Sequence, residues 1–290
     1  MLDSLEILTL VEDSVPMKGD FLAEHGLSFL LTAKKGDRVV RGLLDVGKSP
    51  EVLSHNMESL GIAPESVDFL VLSHCHYDHT GGVARFVAST GKENFPVAAH
   101  PALFRPHFRV DPVLSSIGVQ TGDEREAMEA AGGKLFLSTG PFPLAPGLST
   151  LGEVPRLTDF EGPGSSFLTL ENGRAVPDPL PDDTGIAALV KGRGVVLVSG
   201  CSHSGIVNML KRVKELYPGE PVEGVIGGLH LVGATEDKMQ KTLAGIKEAA
   251  PKWVAAGHCT GFPMMCRLAG SLGDAFKPLS VGKRIVVEAP

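Results

Sequence analysis

Short apolar runs separated by turn-forming residues dominate the first third of the chain. Leu5–Val11, Ser28–Ala33 and Arg38–Val46 read as strands, and Lys35-Gly36-Asp37 supplies turn chemistry between the last two. Ser49-Pro50 offers an N-cap and a first-turn proline for a helix to about Leu60, ended by Gly61. Val67–Leu72 is long enough for a buried strand and too short for a helix. A helical stretch begins at Gly81-Gly82, and Val97–Ala99 is a strand. From Pro101 to Pro146 the pattern breaks down, and only a helical piece near Asp123–Ala131 is legible. Such a segment between regular elements often carries substrate contacts.

The second half is more regular. Ser166–Leu170, Gly185–Val190, Val195–Val198, Val222–Ile226, Trp253–Ala256 and Arg284–Val287 read as strands. Gly205–Leu216 and Glu236–Ala250 read as helices. Strands cluster first and then alternate with helices, which predicts an α/β fold of mixed sheets with helices outside. No linker, charge run or low-complexity tract divides the sequence, so residues 1–290 are expected to form a single domain.

Composition narrows the function classes. With 43% hydrophobic and 21% charged residues, the chain is neither disordered nor fibrous. A net charge of −7 argues against nucleic acid or an anionic membrane as a bulk partner, and leaves room for a small anionic substrate held locally. No apolar stretch approaches the ~18 residues of a membrane span. The acidic N-terminus, Met1-Leu2-Asp3-Ser4-Leu5-Glu6, does not read as a signal peptide, so a cytoplasmic location is expected. Cys75, Cys201, Cys259 and Cys266 lack framework spacing, which argues against a disulfide scaffold; the first three lie within two residues of a histidine.

The main chemical signal is Ser73-His74-Cys75-His76-Tyr77-Asp78-His79-Thr80-Gly81-Gly82, directly after an apolar strand. His74 and His76, at i and i+2, project to one side of extended chain. Asp78 and His79 fall where the chain turns into a helix and can face the same space. Three imidazoles and a carboxylate form a ligand set suited to Zn²⁺, Fe or Mn. A solvated polar loop is the bland alternative, and the density of ligand types weighs against it. The same placement recurs: Gly200-Cys201-Ser202-His203, Gly227-Gly228-Leu229-His230 and Gly257-His258-Cys259 each follow an apolar strand. A single histidine of this kind is as often surface or core as ligand. The repetition predicts that His203 and His258, and less strongly His230, converge on the His74–His79 loop.

The H-x-H-x-D-H run of His74–His79 resembles the signature of the metallo-β-lactamase-fold hydrolases. Asp45 and Gly47 resemble that family's upstream D-x-G, and His258 its last histidine ligand. Glu24-His25-Gly26-Leu27-Ser28, Gly200–Ile206 and Gly227–Leu231 are similar to a subgroup labelled dihydropteroate-synthase-like. That subgroup includes 7,8-dihydropterin-6-yl-methyl-4-(β-D-ribofuranosyl)aminobenzene 5′-phosphate synthases. The resemblance implies an αββα sandwich, two mixed sheets face to face with helices on both outer faces, and a two-metal site at one edge. The sequence departs from the family pattern twice. Asp182-Asp183-Thr184-Gly185 stands where a G-H-T-x-G histidine is expected, and Gly200-Cys201 where a bridging aspartate is expected. Either His203 supplies the missing imidazole, the assignment favoured here, or Asp183 and Cys201 act as ligands. As plain structure, Asp183 would cap a turn and Cys201 would be core packing.

One or two divalent transition-metal ions are therefore expected, Zn²⁺ first, with Mn²⁺ or Fe²⁺ as alternatives. The first ion set is His74, His76 and His203; the second is Asp78, His79 and His258. The resemblance implies hydrolysis of a small ester, lactone or phosphate-containing substrate by a metal-activated hydroxide. Asp78 would orient the nucleophile, His230 would serve a leaving group or substrate phosphate, and His25 would lie at the rim. No G-x-S-x-G, Walker or dinucleotide loop competes with this reading. Two alternatives remain open on the same fold: a synthase or binding protein for a pterin-like or aminobenzene-ribotide ligand, and a di-iron redox enzyme. The sequence has no flavin module to support the latter.

Overall fold

Apolar side chains on both faces of the same strands set the architecture. The computed structural model describes residues 1–164 and 166–290. The first half contains β1 (Ser4–Val11), β2 (Ser28–Lys35), β3 (Arg38–Leu44), α1 (Pro50–Ser59), β4 (Phe69–Val71), α2 (Tyr77–Thr80), α3 (Val83–Ser89) and β5 (Phe95–Ala99). Next come β6 (Phe108–Arg109), β7 (Ser115–Ser116), α4 (Arg125–Ala130), β8 (Gly133–Leu137), β9 (Pro143–Ala145) and β10 (Leu148–Thr150). The second half contains β11 (Leu168–Glu171), β12 (Arg174–Pro177), β13 (Gly185–Val190), β14 (Gly194–Ser199), α5 (Ile206–Leu216) and β15 (Val222–Gly228). It ends with α6 (Glu236–Ala249), β16 (Trp253–Gly257), α7 (Phe262–Leu272), β17 (Phe276–Pro278) and β18 (Arg284–Glu288).

Two seven-stranded mixed sheets result, in the orders β18-β1-β2-β3-β4-β5-β8 and β17-β16-β15-β14-β13-β10-β9. Along β1, Leu5 and Ile7 enter the core between the sheets, which also takes Phe29, Leu31, Ile186, Val196 and Val198. The alternate residues Leu8 and Leu10 pack outward among Leu53 and Met57 of α1 and Phe86 of α3. Val195 and Leu197 of β14 likewise face outward onto Leu210 of α5, Ile246 of α6 and Leu268 of α7. Strands buried on both faces have no polar side to show, which is why they appear in the sequence as unbroken apolar runs. The layers are thus helix, sheet, sheet, helix, the expected αββα sandwich.

Several elements differ from the sequence reading. The run Val67–Leu72 contributes only Phe69–Val71 to the sheet, and Val97–Ala99 extends back to Phe95. The helix expected to begin at Gly81-Gly82 is α3, whose N-cap Gly82 takes the left-handed conformation (φ 78°), and the single turn α2 precedes it. The segment Pro101–Pro146 holds α4 and β8, and its two-residue strands β6 and β7 belong to a third, four-stranded sheet, β12-β11-β6-β7. Helix α7 was not anticipated. No helix among the described residues is long and apolar enough to cross a membrane.

Candidate metal centre and its cleft

Parallel pairing brings the candidate residues to one edge. β3, β4 and β5 run parallel in the first sheet, and β14, β15 and β16 run parallel in the second. Their carboxyl ends therefore open on the same side of each sheet. His74 and His76 follow β4 through a bend, not in the extended chain the spacing predicts, and Asp78 and His79 lie within the single turn of α2. His203 sits between β14 and α5, His230 after β15, and His258 immediately after β16. All six residues expected to hold metal come together here, and the two halves of the chain both contribute.

They form two donor sets. His74 Nε2 and His203 Nε2 each lie 3.0 Å from His76 Nδ1. His258 Nε2 lies 3.3 Å from both His79 Nε2 and Asp78 Oδ2, with His79 Nε2 3.7 Å from the same carboxylate oxygen. Within each set the ligand atoms all fall within 4.8 Å of one another.

Neighbouring carboxylates fix which nitrogen faces inward. Asp45 Oδ2 accepts from His79 Nδ1 at 2.7 Å and from Ser73 Oγ at 2.6 Å; the Ser73 oxygen in turn takes the proton of His74 Nδ1 at 2.8 Å. Asp13 Oδ1 accepts from His258 Nδ1 at 2.6 Å. In each case the outer nitrogen donates to its partner and the inner one is aimed at the shared space, as metal-facing imidazoles require. Asp45 thus acts behind His74 and His79. A Cβ at position 200 would stand 2.1 Å from Ser73 Oγ and 2.9 Å from Asp45 Oδ2, so only glycine lets Cys201 and His203 approach this network. Asp45, Ser202, His230 and His258 all have left-handed backbone, with φ from 43° to 61°. Such strain in non-glycine residues costs on the order of 1–3 kcal/mol each and concentrates where side chains must be aimed.

The remaining candidates separate by geometry. Asp183 Oδ2 accepts from Ser204 N at 2.7 Å and Ser204 Oγ at 2.5 Å, anchoring the His203 loop; it stands outside both donor sets, and its Oδ1 is buried without a partner. Cys201 Sγ lies 3.1 Å from His79 Nε2 and 3.1 Å from Cys259 Sγ, so it borders the centre while His203 completes the first set. The two are not mutually exclusive placements, as the sequence reading had made them. His25, with half its side chain exposed, bridges Asp13 (2.9 Å) and Asp78 (3.4 Å) at the rim. The His230 ring lies 3.9 Å from that of His203, and its Nδ1 is buried without a partner. Sequence reasoning missed Asp13, two residues past the end of β1, and His107, whose Nε2 is 2.8 Å from His76 Nε2.

Electrostatics favour a cation at both sets. Burial, reinforced by the surrounding imidazoles, pushes His74, His76 and His203 well below the ordinary histidine range, so all three are neutral at pH 7. Lone pairs this close repel one another unless a positive charge lies between them, and three neutral imidazoles fit a transition-metal ion. Burial alone would raise Asp78, but His79 and His258 beside it hold its carboxyl well below the usual range. Burial also opposes a charged His258, yet Cys259, Asp13 and Asp78 raise it well above the ordinary value, so its inner nitrogen holds a proton that a bound metal ion would displace. The donors thus fit divalent metal ions. Three of them, His76, Asp78 and His203, line a cleft of about 300 Å³ whose walls include Tyr77, Arg109, Ile117, Phe167, His230 and Val232.

Comparison with known proteins agrees with the fold. A curated relative from Methanocaldococcus jannaschii, named 7,8-dihydropterin-6-methyl-4-(beta-D-ribofuranosyl)-aminobenzene-5'-phosphate synthase, is 36% identical over 98% of this chain and 97% of its own length. An uncharacterized protein of the same organism is 30% identical over 86% of this chain and 88% of its own. Among solved structures, a metal-dependent hydrolase of the beta-lactamase superfamily superposes with a TM-score of 0.81 over 98% of this chain and 99% of that one, at 23% identity. The model of the metallo-beta-lactamase superfamily matches residues 26–220, and the chain belongs to that superfamily.

Proposed function

We propose that this chain is a metal-dependent hydrolase of a small phosphate-containing or ester substrate. The observation that carries the reading is the pair of donor sets, each of which presents at least one member to the same cleft. Divalent ions there, Zn²⁺ first among them, would generate a nucleophile from water near neutral pH and polarise a substrate oxygen. The chain's own residues supply the rest. His74, His76 and His203 present neutral nitrogens, and Asp78, His79 and His258 add a carboxylate. Asp78 is an acceptor able to orient the nucleophile's hydrogen, and His230 faces the cleft where a leaving group needs a proton. Tyr77, Ile117 and Phe167 suit a flat ring, and Arg109 at the wall suits a phosphate.

The 36% identical relative favours a second reading, a synthase acting on a pterin and a ribofuranosyl-aminobenzene phosphate. One experiment separates the two. Metal-loaded protein is screened against phosphodiesters, phosphomonoesters, lactones and thioesters, with and without chelator. Hydrolysis predicts turnover that vanishes with chelator and returns with Zn²⁺ or Mn²⁺. No turnover across the panel, together with tight binding of a pterin or an aminobenzene ribotide, would replace hydrolysis by the synthase reading.

A further inference from the structure

The outer nitrogens of His79 and His258 meet carboxylates, that of His74 meets Ser73 and that of His203 meets no partner, whereas His76 meets another histidine. His76 faces the first donor set through Nδ1, so its Nε2 must carry the proton, and that nitrogen points at no carboxylate. It points instead at His107 Nε2, 2.8 Å away and buried. Behind it, His107 Nδ1 lies 2.6 Å from Asp178 Oδ2. Asp178 is held in place by Arg105, whose Nε and Nη2 donate to its two oxygens at 2.7 and 3.0 Å, and by the Leu180 amide at 2.8 Å. Arg105 also pairs with Asp182 at 2.8 Å, and Asp182 accepts from the Cys75 amide at 2.8 Å, between His74 and His76. The chain closes on itself: the same ionic cluster that aims His107 also fixes the backbone of the ligand loop.

We infer that His107 is a positioning residue for His76, the middle member of an Asp178–His107–His76 relay that leaves the His76 Nδ1 lone pair facing the metal site. The inference rests on the ligand assignment proposed above. An ionised Asp178 can only accept, so the Nδ1 of His107 donates to it. The Nε2 of a neutral His107 then has only a lone pair to offer, and His76 donates to it. Were the proton of His107 on Nε2, His76 would have to accept it, and the remaining proton of His76 would sit on Nδ1. That proton would point at the Nε2 atoms of His74 and His203, 3.0 Å away, where the cation belongs. Burial opposes ionisation of Asp178, but the hydrogen bonds from His107 and Arg105 outweigh it and hold its pKa at about 2, so it remains an acceptor throughout the neutral range. Phe167 packs on both rings, with centroids 5.2 Å from His76 and 5.4 Å from His107, and keeps water from competing for the relay.

The test combines tautomer and affinity. Histidine-labelled protein, metal-free and Zn²⁺-loaded, is read by ¹⁵N NMR; the expected pattern is a proton on Nε2 of His76 and on Nδ1 of His107. Zn²⁺ affinity is then measured by competition with a chromophoric chelator. His107→Phe keeps a ring but no acceptor, and is expected to weaken one of the two ions by about 10–100-fold, the effect typical of losing an outer partner, while the other is unchanged. His107→Gln restores an acceptor and is expected to recover part of the loss. A proton on Nε2 of His107 in the wild type, wild-type affinity for both ions in His107→Phe, or equal weakening of both ions would each overturn the inference. Should His107→Phe fail to fold, the wild-type tautomers still decide. Wild-type protein that takes up no metal would remove the proposed function, whereas the tautomers of the metal-free protein would still report on the relay.

Discussion

Replacing His203 with alanine is expected to leave the Zn²⁺-loaded protein with about one ion where the wild type keeps two, while Cys201→Ser keeps both. His203 is the only donor to the first set from the second half of the chain, and without it two imidazoles remain. Loss of a direct ligand should exceed the ~10–100-fold cost of losing an outer partner, enough for dialysis to strip the ion. Cys201 borders the centre, but the second set already has a carboxylate and two imidazoles without its sulfur. Elemental analysis after dialysis against metal-free buffer reads the result, with circular dichroism to verify folding. An ion lost from Cys201→Ser and retained in His203→Ala would assign the sulfur in place of the imidazole.

Asp78→Asn carries the largest expected effect on turnover. The substitution preserves shape and removes the negative charge from a buried carboxyl that His79 and His258 hold ionised. General acid–base roles are typically worth ~10²–10⁴-fold, and an acceptor that orients a nucleophile acts mainly in the transition state. With a substrate identified by the screen, kcat is expected to fall within that range while KM changes far less. Because Asp78 also belongs to the second donor set, the assay is run across rising Zn²⁺ concentration. Recovery of wild-type kcat at saturating metal would mean that the carboxylate serves only to bind the ion, and would remove its proposed role in orienting the nucleophile.

Much of the sandwich is legible because buried parallel strands must be apolar on both faces, and four such runs, β4, β14, β15 and β16, lead through glycine or serine to a histidine. His74, His76, Asp78 and His79 are legible for another reason: four potential ligands in six residues have no packing explanation. His203 and His258 become visible by repetition of one pattern, strand then glycine then histidine. His107 has no such signal. It stands in Pro106-His107-Phe108, beside strands of two residues that are too short to show a period, and its partner Asp178 is 71 positions away. Asp13 is hidden similarly, as one acidic residue after β1 whose partner His258 lies 245 positions on. The role of Asp183 misleads because a buried carboxylate near a metal site and one that anchors a loop look alike in sequence; only the Ser204 contacts distinguish them.

The division of the donors between the two sheets also bears on when the centre can form. His76 and His203 are 127 positions apart, and His79 and His258 are 179 apart. The compact run His74–His79 holds only part of each set, so neither is complete until strands distant in the chain have docked. Contacts with such long closure loops come late, after the slow step that topology imposes. Zn²⁺ is therefore expected to leave the refolding rate nearly unchanged and to slow unfolding, shifting only one arm of a chevron plot measured with and without metal. In kinetic terms the centre is a latch and not a nucleus: it does little to help the two sheets find each other, and holds them together once they have met.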